Sequence, residues 1–242
     1  MKKNRLILIA VILVASGILA WNSIIYVPSI KGRVVDAESG KPMKGVNVRA
    51  GWVTGYADPG GGSFRTFKVH ATETNENGEF MLPKTIKIKI PVIEHYQGIN
   101  MLIYEHGYSA LYKETTGNTS YLATDHYIQK INGHFIDVKL PKLKSDKEYF
   151  KNMEETFLWM LTVGENLQFL IDERRAFSKK YPESPLLDEN QLILAGYYVR
   201  LKDYTSAIKE YEKLIKKCPE SKFIPLVKKD IEDLKQQNLN RK

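Results

Sequence analysis

His70-Ala-Thr-Glu73 is the spacing in this sequence closest to known chemistry, because H-x-x-E supplies two ligands in zinc carboxypeptidases. On a strand, residues three apart point to opposite faces, so this pair does not close around one ion. A catalytic zinc also needs a third ligand, an open coordination position and a general base. The five histidines, His70, His95, His106, His126 and His134, show no ligand spacing. Asp125-His126 with His134 suggests part of a triad, yet no serine lies in a nucleophile elbow. The stretch GWVTGYADPGGG, Gly51–Gly62, lacks the Gly-Lys-Ser/Thr ending of a phosphate-binding loop. No catalytic residue, metal ligand or cofactor site is expected.

Aromatic side chains are the stronger candidates for contact. Trp52 and Tyr56 fall in the glycine-rich stretch, read as a flexible exposed loop, and Tyr121 and Tyr127 fall in a second loop rich in Thr, Asn, Tyr and His. Rings beside polar loop residues suit stacking on sugars or packing against a protein. The competing reading is that most of these rings build a small hydrophobic core.

The elements that would position these residues follow two patterns. Between Ile30 and Leu140, strand-like alternation marks VNVRA (Val46–Ala50), FKVHATET (Phe67–Thr74), EFML (Glu79–Leu82), IKIKI (Ile86–Ile90), NMLIY (Asn100–Tyr104) and FIDVKL (Phe135–Leu140). Glycine- and proline-containing turns separate them, which predicts an all-β antiparallel sandwich over residues 28–142. From Ser145 the period becomes helical. Ser145-Asp-Lys-Glu148 forms a capping box, and one helix is expected to reach Tyr181. Further helices are expected over Leu186–Leu201, Tyr204–Lys217 and Ser221–Leu234, completing an all-α domain over 145–238.

KKYPES at Lys179–Ser184 returns as KKCPES at Lys216–Ser221, 37 residues on. Ala195 and Ala207 allow two helices to approach closely, Tyr198 and Tyr211 fill the space between them, and Pro219 ends the second. This segment resembles a tetratricopeptide repeat, whose period is about 34 residues. The match is clear for one helical hairpin and reaches the preceding helix only at its KKYPES end. The resemblance implies a protein partner bound through the helices.

A second resemblance lies upstream. Gly32-Arg-Val-Val-Asp36, Ser39-Gly40-Lys-Pro42 and Gly45-Val46-Asn-Val48 look like the first hairpin of the carboxypeptidase regulatory-like domain, a transthyretin-type β-sandwich. Thr74-Asn-Glu-Asn77-Gly78-Glu-Phe80 matches that family's second hairpin signature, and His106–Leu111 echoes its late Gly-Tyr. The family domain is a non-catalytic appendage, which implies a scaffold.

The N-terminus, MKKNRLILIAVILVASGILAW, places Lys2, Lys3 and Arg5 before an apolar run of about 15 residues. That pattern fits either an uncleaved signal anchor over 1–27, lengthened by Ile24–Val27, or a cleaved signal peptide and a secreted product. Both put the bulk of the chain outside the cytoplasm, in the periplasm, with the anchored form in the inner membrane. No cysteine follows the run, which argues against a lipoprotein. Cys218 is the single cysteine, so no intramolecular disulfide forms. The net charge of +8 is dispersed beyond the N-terminus rather than gathered in a stripe, which argues against nucleic-acid binding. The expectation is a non-enzymatic, membrane-tethered scaffold that binds a protein. The alternative is a module that binds carbohydrate or cell envelope through the aromatic loops.

Overall fold

A computed structural model describes residues 23–56, 63–89, 94–116, 119–122, 128–132, 135–163 and 166–239, with side chains apart from those in 113–135, 161–162 and 238–239. The expected N-terminal helix, Asp125, His126, Tyr127 and His134 lie outside these residues. Among the described helices, none is long and apolar enough to cross a membrane. The chain divides into two compact units. The first holds the strands together with the segment Thr162–Gly164, and the second holds the rest of the helices together with the segment His106–Ser109.

The strands are β1 (Ile24–Val27), β2 (Ile30–Asp36), β3 (Asn47–Tyr56), β4 (Ser63–Glu73), β5 (Glu79–Leu82), β6 (Thr85–Ile88), β7 (Glu94–Tyr104), β8 (Leu111–Thr116), β9 (Thr119–Leu122), β10 (Ile128–Asn132) and β11 (Phe135–Leu140). They form a two-stranded ribbon β1-β6, a four-stranded sheet β10-β11-β2-β5 and a five-stranded sheet β4-β3-β7-β8-β9. Alternation buries one row of side chains. Val34, Phe80, Leu82, Ile136, Val138 and Leu140 are buried from the smaller sheet, as are Val48, Ala50, Trp52, Ile99, Met101 and Ile103 from the larger.

Several expectations change here. Ile24–Val27 is a strand paired with β6, not an extension of an apolar helix. The β2–β11 pair is parallel, from Phe135↔Lys31 to Leu140↔Asp36, so the region is not wholly antiparallel. β2 and β3 belong to different sheets, so the first matched motif is a crossing between sheets rather than a hairpin. The second motif, between β4 and β5, is likewise a crossing. The stretch Gly51–Tyr56 is the second half of β3, where Trp, Val, Thr and Tyr have the bulk that suits a strand.

The two crossings lock together. The Thr74 hydroxyl donates to Met43 O at 2.6 Å and accepts from Val46 N at 2.9 Å. Val34 N donates to Gly78 O, and Thr74 N donates to Val46 O. Gly78 has φ +72°, and a Cβ there would lie 2.3 Å from Val34 O. In β2, a Cβ on Gly32 would meet the Phe80 ring at 2.4 Å, so the ring occupies the space that glycine leaves. Asp36 accepts from Glu38 N, Ser39 N and the Ser39 hydroxyl through Oδ1, which makes it a turn-forming side chain.

The helices are α1 (Asp146–Val163), α2 (Leu167–Lys180), α3 (Leu187–Arg200), α4 (Tyr204–Lys217) and α5 (Ile224–Leu239). The single helix expected from Ser145 to Tyr181 is thus two. Asn166 starts the second by accepting from Phe169 N at 3.2 Å, giving an otherwise unpaired first-turn amide its acceptor. The Ser145 cap forms, with Glu148 N donating to Ser145 Oγ at 3.2 Å, while the Glu148 carboxylate accepts from Lys144 N. Phe177 sits at the centre of the α1–α2 packing, with the Tyr149 and Phe150 ring centroids 6.0 and 5.8 Å away.

Candidate functional site

The helical unit repeats its geometry at 37-residue spacing. Asn166 and Asp203 are equivalent caps, and Asp203 accepts from Ser206 N at 3.1 Å. Tyr181 and Cys218 end α2 and α4 with nearly identical backbone angles, φ −128° and ψ 64° or 63°. In the following Pro-Glu-Ser turns, Ser184 Oγ accepts from Leu186 N and Ser221 Oγ accepts from Phe223 N, both at 3.2 Å. Each serine then donates to an aspartate in the first turn of an earlier helix: Ser184 to Asp146 at 2.6 Å, and Ser221 to Asp188 at 2.7 Å. The Ser184 hydrogen bond holds the Asp146 carboxyl below its ordinary pKa. The two turns line a cleft of about 440 Å³ that includes Glu183, Asp188, Lys217 and Cys218.

Ala195 and Ala207 are buried in the packed pair α3–α4, with Tyr198 and Tyr211 also buried; Pro219 is exposed in the turn after α4. Leu170 of α2 stands 37 positions before Ala207, so the first hairpin carries a larger side chain where the second has a methyl group.

Polar groups are buried inside this unit. Glu173 is paired with His106 Nδ1, and the His106 ring stacks on Phe169 with centroids 4.8 Å apart. Burial pushes the Tyr149 phenol up, and the Glu173 carboxylate pushes it further in the same direction. The neighbouring Arg174 is 1% exposed. Its Nη1 donates to Asn190 Oδ1 at 3.3 Å, its guanidinium lies 4.7 Å from the Phe150 ring centroid, and its Nε has no acceptor. Burial lowers its pKa. Glu210, 37 positions after Glu173, is also buried and bonds Gln191 and Lys213. The 37-residue repeat makes the paired turns and caps visible in sequence. His106 and Glu173 are 67 positions apart, with no local signal linking them.

Trp52 does not contribute to an aromatic surface. It is 0% exposed, packed on the inner row of β3, so it offers no ring to a glycan. Tyr56 is partly buried and donates to Glu94 Oε1 at 3.0 Å. The same carboxylate is paired with Lys87, whose ammonium lies 4.7 Å from the Phe67 ring centroid. Tyr121 lies on β9 without a described side chain, and Tyr127 is outside the described residues. Among the described residues, no three His, Cys, Asp or Glu side chains gather as a metal site. His70 and Glu73 both lie on β4.

No family model and no curated protein matches this chain. Solved structures give distant likenesses. The pilus adhesin RrgA of Streptococcus pneumoniae is 12% identical with a TM-score of 0.30, over 49% of this chain and 15% of the adhesin. A 9R-lipoxygenase from Cyanothece PCC8801 is 12% identical with a TM-score of 0.22, over 68% of this chain and 26% of the enzyme. The chain therefore spans only a small part of either protein. Neither likeness bears on its activity.

Proposed function

We propose that this protein is a non-enzymatic, membrane-tethered extracytoplasmic scaffold whose helical unit binds a protein partner. The observation that carries this reading is the repeated Ser–Asp closure. Two successive Pro-Glu-Ser turns fasten helices in the same way, and α5 follows the second turn. Stacked helical hairpins of this kind expose extended surfaces on which a partner can dock. The tetratricopeptide-like sequence supports that reading, and so do exposed Leu158 on α1 and Leu226 on α5.

The β unit is the supporting platform in this reading. Its regulatory-like motifs are consumed in the interlocked crossings, where Thr74, Gly78, Gly32 and Asp36 all have structural partners. The basic, apolar N-terminus is the tether, and both units belong to the periplasm.

Photo-crosslinking residues placed at Leu158 and Leu226 in the native envelope test the reading. Discrete protein adducts from the helical positions, absent from a probe at Phe64 on β4, are expected. Failure of both helical positions to capture any protein would overturn it.

A further inference from the structure

The ribbon β1-β6 has two unlike faces. Ile25 and Val27 point inward and are buried, whereas Ile24, Tyr26, Ile86 and Ile88 point outward and are 52%, 60%, 60% and 81% exposed. Register places Ile24 opposite Ile88 and Tyr26 opposite Ile86, so the four form one continuous patch on two strands. Lys89 N donates to Ser23 O at 2.7 Å, extending the ladder by one bond toward the N-terminus. A contiguous exposed apolar face of this kind marks a surface for a partner or a membrane.

The sequence on either side indicates which. Ile24 follows closely on the apolar run Leu6–Trp21, which is itself preceded by Lys2, Lys3 and Arg5. Exposed Lys84 stands just before β6, two positions from Ile86, whereas Lys89 follows the inward row of Thr85 and Lys87. An ammonium group at the rim of an apolar face fits anionic headgroups, and its aliphatic stem lies along the hydrocarbon boundary. Lys87 is excluded from that role because Glu94 holds it on the opposite, inner side.

We propose that the outer face of the β1-β6 ribbon rests in the interface of an anionic lipid bilayer, with Ile24, Tyr26, Ile86 and Ile88 inserted among the lipids. The inference rests on the tethered reading above and adds to it a second lipid contact just beyond the apolar run. Insertion to about 5–10 Å is the depth at which apolar faces of interfacial segments sit.

The test uses the full chain with Cys218→Ser and a single labelled cysteine, Ile88→Cys or Tyr26→Cys, reconstituted in phosphatidylcholine–phosphatidylglycerol vesicles. Met81→Cys, on β5 and 54% exposed, is the reference position. Labels at 88 and 26 are expected to lose emission to lipids brominated on their acyl chains, while the label at 81 does not. If the chain floats with vesicles but the labels at 88 and 26 are as open to aqueous iodide as the one at 81, the proposal fails and the tether stands. If the chain does not float, the tether fails and takes the proposal with it. Shielding from iodide without bromolipid quenching also overturns it: concentration-dependent shielding assigns the patch to a second copy, and concentration-independent shielding to another part of the same chain.

Discussion

Ser184 donates its hydroxyl to Asp146 Oδ2 at 2.6 Å, so the turn that ends α2 is tied to the first turn of α1. The same tie between Ser221 and Asp188 joins the turn after α4 to the start of α3. Each serine does double service, because its oxygen also accepts a backbone amide two residues on. The Pro-Glu-Ser sequence is therefore a fastening that sets where one helix begins relative to the end of another.

Replacing Ser184 with alanine is expected to raise the Asp146 pKa toward its ordinary value of 3.8. The folded-state pKa is depressed, so this carboxylate contributes stability fully above the unfolded value, and the contribution is lost as pH falls through the folded pKa. Acid unfolding of Ser184→Ala should accordingly begin at higher pH than in the parent. Carboxyl titration by NMR and pH-dependent circular dichroism measure the two effects.

Arg174 and Asn190 form a buried pair in which the guanidinium donates to a neutral amide oxygen from α3. Val227 stands 37 positions after Asn190 and is also fully buried, so the site accepts an aliphatic residue in the other copy of the repeat. Asn190→Val alone should cost about 2–3 kcal/mol, because it removes an acceptor from the buried charge and a donor from Arg174 O and Ser178 Oγ. Adding Arg174→Met should recover only the part that comes from the unpaired guanidinium, because an apolar replacement needs no partner there. Urea unfolding of the two single variants and the double variant measures the coupling.

Trp52→Ala is expected to destabilise the β unit by about 3–5 kcal/mol, the usual cost of removing a large buried ring. Trp52→Phe should cost far less, since the indole nitrogen makes no hydrogen bond that would be lost. Denaturant melts of both variants provide the check. Equal, small effects would mean that Trp52 contributes little to the core.

At the interlocked crossings, Thr74→Val keeps the shape but leaves Val46 N and Met43 O without the hydroxyl between them. A loss of about 1–3 kcal/mol is expected. Gly78→Ala should also be destabilising, by about 1–3 kcal/mol from backbone strain with a further penalty from the approach to Val34 O. Thermal unfolding should rank both below the parent.

Read along the chain, the residues alone mark the change from strands to helices near Leu140–Ser145, the repeat of the KKYPES turn and the span of α4. These signals are local, since alternation, caps and turn residues act over a few positions. The residues of the two sheet crossings stand out as well, though not their arrangement, because long-range contacts settle whether flanking strands pair with each other or with distant ones. The folded chain alone shows β2 running parallel to β11, with Gly32 opposite Ile136, a pairing for which no local pattern codes. It also makes Trp52 core, because Gly51–Tyr56, which reads as part of a loop, is drawn into β3 by β4 on one side and β7 on the other. His106 meets Glu173 only because the segment His106–Ser109 belongs to the helical unit. Ile24 and Tyr26 look like the tail of an apolar run until pairing with Ile88 and Ile86 turns them to one face of a ribbon. Propensity and capping act between near neighbours and can be read along the chain. Strand partnership, burial and the meeting of distant charges depend on which surfaces folding brings together.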